Sequence, residues 1–182
     1  MHAIVNRLSP SATDLIRADH TRVLAVFHRY RIDASPRAKR ALANAICLAL
    51  EVHAQVEEEI FYPALRAADS SLVDEQLEPE HDEMRRLIAA LRAMAPESEQ
   101  YDAAFMELMR AVIHHVADEE TILLAHAESV MGDSLPRLGR LMATRRMQLK
   151  LPRMAGSRNA WVLGGALLVG VVLGSRSLRR HA

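Results

Sequence analysis

Apolar residues recur along most of this chain at intervals of three and four residues, the spacing of one face of an amphipathic helix. Four long segments have this pattern, at about residues 14–30, 36–67, 72–94 and 97–131. No alternating pattern of useful length indicates a half-buried strand. The apolar stripe of the first segment includes a histidine and consists of Leu15, Ile16, His20, Val23 and Phe27. The pattern therefore predicts an all-helical protein.

Residues that start and stop helices separate the four segments. Pro36 opens the second segment at a favoured helical position, Pro63 is expected to kink its end, and Gly132 can cap the fourth. Because the connections between segments are short, neighbouring helices must run antiparallel. We predict an all-α fold: an antiparallel up-down-up-down four-helix bundle over residues 11–133, with a C-terminal basic segment and a hydrophobic tail helix.

Composition agrees with a helical protein and indicates its cellular setting. Half of the residues are apolar but only 4% are aromatic, and glycine and proline number 7 each, which favours helix over sheet. The single cysteine, Cys47, cannot form an intramolecular disulfide, and its apolar neighbours indicate a small buried hydrophobe rather than a redox group. The first residues lack the apolar run of a signal peptide. These features predict a reducing, cytoplasmic setting.

Charge is divided unevenly along the chain. All 23 acidic residues lie at or before Asp133, where 13 lysines and arginines leave a net charge of 13 − 23 = −10. The residues after Asp133 include 10 lysines and arginines and no acid. A net-negative bundle is a poor match for nucleic acid, so no nucleic-acid partner is expected. The basic C-terminal part suits anionic lipid head groups, which are the predicted membrane partner.

The C-terminal region divides into three parts by composition. We predict a basic helix and linker over 134–158, an uncharged helix over 159–175 and a basic tail over 176–182. The uncharged helix is about 25 Å long at ~1.5 Å per residue, a little short of a ~30 Å hydrocarbon core. We interpret it as a membrane anchor, with a buried or amphipathic helix as the alternative. Small residues four apart offer a face for a homodimer, at Ala166, Gly170 and Gly174.

Deletion of residues 160–182 is expected to move the protein from the membrane fraction to the soluble fraction, because it removes the predicted anchor. Six lysines and arginines precede the uncharged segment within about 20 residues and three follow it, a bias that places the bundle in the cytoplasm, on the inner or plasma membrane. Fractionation of full-length and shortened chains measures the effect. An unchanged distribution would rule out the anchor.

Two copies of one motif mark the second and fourth segments. The motif reads His-x-x-x-Glu-Glu and begins at His53 and at His115, so that Glu57 and Glu119 each follow a histidine by four positions. Residues four apart lie one turn apart on one helix face, where an imidazole and a carboxylate can bind the same metal ion. A chain of this composition is expected to contain the motif roughly 0.05 times by chance, so two copies indicate a real site.

The other two segments each supply an acid followed by a histidine, Asp19-His20 and Glu80-His81. His81 lies 61 residues after His20, and His115 lies 62 residues after His53, so the chain reads as two copies of one helical pair. Six side chains can then meet at one level of the bundle: His20, His53, Glu57, His81, His115 and Glu119. Four imidazoles and two carboxylates exceed the roughly four ligands of a zinc ion but suit two ions bridged by the carboxylates.

Acidic residues next to these six are expected to orient the imidazole rings by accepting hydrogen bonds from their N–H groups. Asp19, Glu80 and Asp118 are near enough in sequence to do so. Tyr62, four residues after Glu58, can line the same pocket, but plain packing is the favoured explanation. His114 is adjacent to His115 but points about 100° away around the helix, so we keep it only as a minor alternative ligand.

These motifs, together with Thr13-Asp-Leu-Ile-Arg-Ala-Asp-His20 and Ile60-Phe-Tyr-Pro63, resemble the haemerythrin-like (HHE) cation-binding domain over about residues 14–131. The resemblance implies a non-haem centre of two carboxylate-bridged iron ions in a four-helix bundle. It also implies binding or sensing of O2, NO or peroxide, or buffering of iron. It assigns His20 and His53 to one iron, His81 and His115 to the other, and Glu57 and Glu119 as bridges.

One position departs from the O2-carrying haemerythrins, which have a fifth histidine one turn after that of the third helix. Arg85 stands there in this chain, which leaves an open coordination position and favours reactivity or sensing over reversible O2 carriage. Water or Glu58 could fill this position. The O2 carriers also have a longer His-to-Asp spacing on the last helix, so Glu120 could serve in place of Glu119. No catalytic acid can be assigned, so no reaction is predicted.

Two other functions compete with the di-iron hypothesis. A ferritin-like di-iron oxidase requires Glu-x-x-His on two helices, and only Glu78 to His81 has this spacing, with Pro79 inside it. A metal-free helical adaptor, tethered to a membrane by its tail, would require the histidines to be incidental. Metal analysis of the purified protein separates this last alternative from the first.

Overall fold

The computed structural model of the protein describes residues 10–69 and 77–155, which contain helices and short connections but no strands. Seven α-helices occur in this part: α1 Ala12–Phe27, α2 Pro36–Val56, α3 Tyr62–Ala68, α4 Leu77–Ala93, α5 Gln100–Asp118, α6 Leu124–Met131 and α7 Leu135–Ala155. The π-helical turns Glu57–Phe61 and Glu119–Leu123 join α2 to α3 and α5 to α6, so each pair forms a continuous rod. The predicted all-helical class is confirmed.

Local sequence explains where the first helices begin. The Ser11 hydroxyl accepts a hydrogen bond from the Asp14 N–H at 3.1 Å, and the Asp14 carboxylate accepts one from the Ser11 N–H at 2.9 Å. This reciprocal capping box starts α1. Ser35 caps α2, and Pro36 occupies its first turn, where a missing N–H removes no helical hydrogen bond. Gly132 lies at the C-cap of α6, as the sequence predicts.

Contacts between side chains establish that the rods run antiparallel. Arg40, near the start of α2, donates a 2.6 Å hydrogen bond to the carbonyl oxygen of Met94, just after the end of α4. Glu58, just beyond α2, pairs with Arg85 in the middle of α4. As residue numbers rise along the first rod, partner numbers fall along α4. The same order relates α1 to the α5–α6 rod, in the pairs Arg17–Glu128 and Tyr30–Asp102.

Two apolar clusters fill the bundle on either side of a polar layer. One cluster contains Phe27, Leu91 and Phe105, and the other contains Phe61 and Leu65. On α1, Ile16 belongs to the second cluster, Val23 belongs to the first, and the buried His20 lies between them. The sequence thus inserts a polar layer into an otherwise apolar core, and this layer contains the predicted metal-binding residues.

A further helix, α7, packs against α1 and α2. Leu135, Leu138 and Met142 are at most 5% exposed and belong to the same apolar cluster as Ile16. The sequence analysis treats residues 134–158 as a basic helix and linker beside the bundle, whereas the structure packs α7 onto the bundle core. Within the described residues, no helix is both long and apolar enough to cross a bilayer. The predicted anchor over 159–175 and the basic tail over 176–182 lie outside these residues.

Replacement of Gly139 by alanine is expected to destabilise the packing of α7 on α1. An added Cβ would collide with the carbonyl oxygen of Pro10 and lie 2.8 Å from the carbonyl carbon of Ser11. Because both obstacles are backbone atoms, α7 would have to move, and we expect a loss of about 1–3 kcal/mol in the free energy of unfolding. Urea denaturation monitored by circular dichroism measures the change.

Gly132→Ala is the matched control for this prediction. A Cβ at Gly132 would meet its nearest neighbour, the carbonyl oxygen of Glu128, at 3.4 Å, an ordinary van der Waals separation. Gly139 lies inside α7, where alanine has the higher helix propensity, and Gly132 lies at a C-cap, so propensity alone would make the Gly139 variant the more stable of the two. A lower stability of the Gly139 variant therefore reports the collision. Equal stability of the two variants would contradict the close packing of α7.

Candidate metal centre

Six side chains converge in the polar layer, and they are the six that the sequence singles out. His20 comes from α1, His53 from α2, His81 from α4 and His115 from α5. Glu57 and Glu119 are the first residues of the two π-helical turns. All six are at most 6% exposed, which is unusual for carboxylates. The bundle therefore holds four imidazoles and two carboxylates away from water at one level.

The Nε2 atoms of the histidines face one another in two pairs. His20 Nε2 lies 3.3 Å from His53 Nε2, and His81 Nε2 lies 3.4 Å from His115 Nε2. Two nitrogens that each bind one metal ion at about 2.1 Å lie about 3.0–3.4 Å apart. Each pair of nitrogens therefore has the separation of two ligands of a single ion.

The two buried carboxylates lie among these nitrogens. Glu57 Oε2 is 3.3 Å from His53 Nε2 and 3.5 Å from His81 Nε2. Glu119 Oε2 is 3.2 Å from His20 Nε2 and 3.6 Å from His115 Nε2. Each carboxylate thus approaches one histidine of each pair, which is the arrangement required to bridge two ions.

Tyr62 completes the inner surface of the site. Its hydroxyl donates towards Glu57 Oε2 at 3.4 Å and towards Glu119 Oε1 at 3.3 Å, and the residue is fully buried. Its ring also stacks on that of His81 with a 5.7 Å centroid separation. From the sequence alone, plain packing is the favoured explanation for Tyr62. A tyrosine five positions after Glu57 does not share its face in a regular α-helix.

The π-helical turns explain how Glu57 and Tyr62 face the same space. In each turn the backbone bonds to the fifth residue rather than the fourth: the Tyr62 N–H donates to the Glu57 carbonyl, and the Leu124 N–H donates to the Glu119 carbonyl. Pro63 follows the first turn, but Ala125 stands at the equivalent position after the second. Proline is therefore not required for the turn. The two π-helical turns begin at Glu57 and Glu119, the two buried carboxylates of the site, so this departure from regular α-helix occurs where the site is formed.

Three of the four histidines have an acidic partner at Nδ1. Glu120 lies 2.8 Å from His20 Nδ1, Glu58 lies 2.9 Å from His81 Nδ1, and Glu80 lies 2.9 Å from His115 Nδ1. Such partners set the tautomer that leaves Nε2 free to bind a metal. The second glutamate of each His-x-x-x-Glu-Glu motif therefore orients a histidine of another helix. The sequence analysis considered Glu58 and Glu120 only as possible ligands.

The expected orienting roles of Asp19 and Asp118 are wrong, whereas that of Glu80 is confirmed. By the internal symmetry of the chain, Asp19 should serve His53 as Glu80 serves His115. Instead Asp19 pairs with Arg146 of α7 and, at 2.9 Å, with Arg22. No described residue forms a hydrogen bond with His53 Nδ1. Asp118 contacts His114 rather than a histidine of the centre.

Arg85 anchors one of the orienting carboxylates. Its guanidinium pairs with Glu58, the residue whose other contact is His81 Nδ1, and with Asp82 at 2.8 Å. The hydrogen bond from His81 and the bond from the Arg85 guanidinium outweigh the effect of burial and lower the pKa of Glu58 to about 2. Arg85 therefore stabilises the orientation of His81, one turn earlier, through Glu58. Arg85 itself stands at the position where the O2 carriers that this chain resembles have an additional histidine.

Electrostatics in the metal-free cluster favour entry of cations. Burial lowers the pKa of His53 and of His81, which keeps these imidazoles neutral and able to bind a metal. Burial, reinforced by the nearby Glu119 carboxylate, raises the pKa of Glu57 well above its usual range. Burial likewise raises the pKa of Tyr62. A cation entering the site would replace the proton that Glu57 otherwise requires.

The donor set fits two cations. Glu57 Oε1 and Glu119 Oε2 are buried without a hydrogen-bond partner, a costly condition that a cation would relieve. Two overlapping groups have donor atoms within 4.8 Å of one another: His20, His53, His115 and Glu119, and His53, Glu57, His81 and His115. Two carboxylates would also offset half of the charge on two divalent ions, which makes them tolerable in a buried site.

Comparisons with known proteins agree with a helical cation-binding domain. The haemerythrin HHE cation-binding domain family matches residues 11–127. A protein of Nostoc sp. described as a DNA nickase is 30% identical over 112 residues, which is 62% of this chain. The match spans only 32% of that relative, about a third of its length.

A solved structure has the same fold. The crystal structure of an HHE cation-binding domain-containing protein from Mycobacterium kansasii matches with a TM-score of 0.66 at 19% identity. The match covers 77% of this chain and 87% of that one. At this identity the likeness establishes the fold alone, and the arrangement of the metal-binding side chains rests on the geometry above.

Proposed function

Because the chain belongs to the haemerythrin HHE cation-binding family, we propose that it is a non-haem di-iron protein that binds or senses O2, NO or peroxide. His20 and His53 would hold one iron, His81 and His115 would hold the other, and Glu57 and Glu119 would bridge them. Buffering of iron is a simpler use of the same site. A ferrous pair, when bound, supplies electrons to a diatomic ligand or to peroxide.

The observation that carries this proposal is the pairing of Nε2 atoms around two incompletely hydrogen-bonded carboxylates. Buried histidines that serve only packing satisfy their nitrogens with hydrogen-bond donors and acceptors of the protein. Here the Nε2 atoms of all four histidines face only one another and the two carboxylates. The Nδ1 atoms of three of these histidines contact Glu80, Glu58 and Glu120 instead. This arrangement favours two metal ions and argues against the metal-free adaptor.

These donors suit iron. Each half of the site would hold its ion by two imidazoles and two shared carboxylates, and an ion that accepts more than four ligands, as iron does and a structural zinc ion does not, would keep a position for a small ligand. Histidine and carboxylate together suit iron and manganese among the abundant ions. The ferritin-like alternative is disfavoured because it requires Glu-x-x-His on two helices and the sequence has this spacing only once, with Pro79 inside it.

Residues of the chain would govern access and proton supply at the pair. The Tyr62 hydroxyl holds a proton between the two bridging carboxylates, and burial makes that proton hard to lose to solvent. Because Arg85 supplies no ligand, an ion held on the His81 side would keep a coordination position for a small molecule. Apolar residues above and below the layer exclude bulk water. These features favour binding or sensing of a small ligand over storage of many ions.

Metal analysis of the purified full-length chain, with an absorption spectrum recorded with and without O2, tests the proposal. We expect about two irons per chain and near-ultraviolet absorption from oxygen-ligand charge transfer that changes on exposure to O2. Absence of iron after anaerobic reconstitution with ferrous salt would exclude the di-iron function and revive the metal-free adaptor. Iron without any response to O2, NO or peroxide would point to buffering.

We also propose that the bundle lies in the cytoplasm next to a membrane. The basic helix α7 ends at Ala155, shortly before the uncharged segment 159–175, and its lysines and arginines suit an anionic lipid surface. The tail deletion described above tests this location separately from the metal centre, because residues 160–182 contribute no side chain to the six proposed ligands.

A further inference from the structure

A second cluster of metal-binding side chains lies on the outside of the bundle, next to the buried centre. His114 and Asp118 are one turn apart on α5, and Glu80 reaches them from α4. His114 is 72% exposed and Asp118 is 43% exposed, whereas Glu80 is only 22% exposed. None of these three residues belongs to the six proposed ligands. The cluster therefore forms a separate group at the surface.

The spacing of the three donors matches one ion. His114 Nδ1 lies 3.3 Å from Asp118 Oδ2 and 3.6 Å from Glu80 Oε1, and the donor atoms of all three residues are within 4.8 Å of one another. Donors at about 2.1 Å from one ion in tetrahedral geometry lie about 3.4 Å apart. An ion held by three protein ligands at the surface would also keep coordination positions for water.

Charge around the cluster favours a cation. Two carboxylates and one imidazole meet there, and neither Glu80 nor Asp118 forms an ion pair with a lysine or arginine of the described residues. Several other surface acids do have such partners, for example Glu58 with Arg85 and Glu59 with Arg145. The negative charge at Glu80 and Asp118 is therefore left for a small cation to balance.

Glu80 connects the outer cluster to the buried centre. Its Oε1 faces His114, and its Oε2 accepts the hydrogen bond from Nδ1 of His115, whose Nε2 faces the centre. One carboxylate thus contacts both an exposed histidine and a buried one. The adjacent residues His114 and His115 point to opposite sides of the same carboxylate, outward and inward.

We infer that His114, Asp118 and Glu80 form a third cation site, which takes a divalent transition-metal ion such as Fe²⁺ from solvent and passes it to the buried pair. The binding step stands on the geometry of these three residues alone. The transfer step rests on the proposed di-iron function. Glu80 would hold the ion through Oε1 while its Oε2 contacts His115. The outer ion would therefore lie beside a proposed ligand of the inner site.

Titration of the metal-free full-length chain with Co²⁺, followed by its visible absorption and by equilibrium dialysis, tests the binding step. At the same free Co²⁺ concentration, we expect His114→Ala and Asp118→Asn each to bind one ion fewer per chain than the wild type. A partial effect would be an affinity for that ion lower by roughly tenfold or more. His28→Ala is the matched control, because His28 is also exposed but lies at the end of α1 away from this cluster. Equal titrations of all variants would overturn the site.

The buried centre is tested in the same experiment by a second variant. His53→Ala should lose inner ions but keep the outer one, since none of the three outer residues touches His53. Retention of every ion in His53→Ala would therefore refute only the di-iron assignment, and retention of every ion in His114→Ala would refute only the outer site. A chain that binds Co²⁺ at neither place would refute both.

Stopped-flow mixing of the metal-free chain with Fe²⁺ under anaerobic conditions tests the transfer step. We expect His114→Ala to load the inner pair about tenfold more slowly than the wild type while reaching the same final iron content. Unchanged loading rates in a variant that has lost the outer ion would show that iron enters by another route and would overturn the transfer step. Circular dichroism of the variants verifies that they fold alike.

Discussion

Replacement of His53 or His115 by alanine is expected to reduce bound iron from about two ions per chain to about one or none. His53 Nε2 lies 3.3 Å from His20 Nε2 and 3.3 Å from Glu57 Oε2. Its removal leaves one ion with a single imidazole and leaves a buried carboxylate without its nearest nitrogen. His115 has the same relation to His81 and Glu119, so the two variants should behave alike.

Elemental analysis of iron, with the near-ultraviolet absorption of each variant, measures this loss. His28→Ala provides the control, because it removes an exposed histidine at the C-cap of α1 and should leave the iron content unchanged. Thermal unfolding of the metal-free variants separates loss of ligands from loss of fold: we expect their Tm values to remain close to that of the metal-free wild type. Unchanged iron in both the His53 and the His115 variant would refute the ligand assignment.

Glu80→Gln is expected to lower the affinity for iron by about 10–100-fold, whereas Asp19→Asn should lower it much less. Glu80 accepts the hydrogen bond from His115 Nδ1, and glutamine supports this tautomer less well than a carboxylate does. Asp19 occupies the symmetry-related position but pairs with Arg146 and Arg22 instead of His53. The symmetry of the sequence predicts equal effects, and the structure predicts unequal ones.

Competition with an iron chelator measures the two affinities. Because Glu80 also belongs to the outer cluster, both substitutions should be made in a His114→Ala chain as well, where the outer site is already disabled. Asp19→Asn should instead reduce the free energy of unfolding by up to about 3 kcal/mol, because it weakens a largely buried pair between α1 and α7. Equal losses of iron affinity in the two variants would mean that Asp19 orients His53 after all.

Pairing of Asp19 with Arg146 makes the two halves of the centre different. His115 is oriented by an acid of α4, while the carboxylate that would orient His53 is held by α7. The guanidinium also donates to the carbonyl oxygen of Leu15. A helix outside the matched family region, residues 11–127, therefore contacts the surroundings of one proposed iron and not of the other.

Much of the fold and of the proposed ligand set could be predicted from sequence, because both depend on spacing within single helices. A histidine four residues before a glutamate places both on one face whatever the surroundings, and the two motifs at His53 and His115 establish which faces turn inward. The second and fourth segments are predicted to end near Ala67 and Met131, and the corresponding rods end at Ala68 and Met131. The agreement arises because turn residues mark both ends.

Roles that depend on contact between helices could not be predicted in this way. The partner of an imidazole Nδ1 atom comes from another helix, so nearness in sequence wrongly favoured Asp118 for a role that Glu58 and Glu120 perform. Tyr62 reaches the centre only because a π-helical turn rotates it towards Glu57, and no residue pattern marked that turn.

The sequence by itself determined that this protein is a helical bundle with four histidines and two glutamates on inward faces, because helix periodicity is a local property of the chain. Only the tertiary structure decided how the surrounding acids are shared: Glu80 between His115 and His114, Glu58 between His81 and Arg85, and Asp19 with Arg146. A carboxylate binds whichever donor the packing brings within about 3 Å, and that choice is made between helices rather than along one.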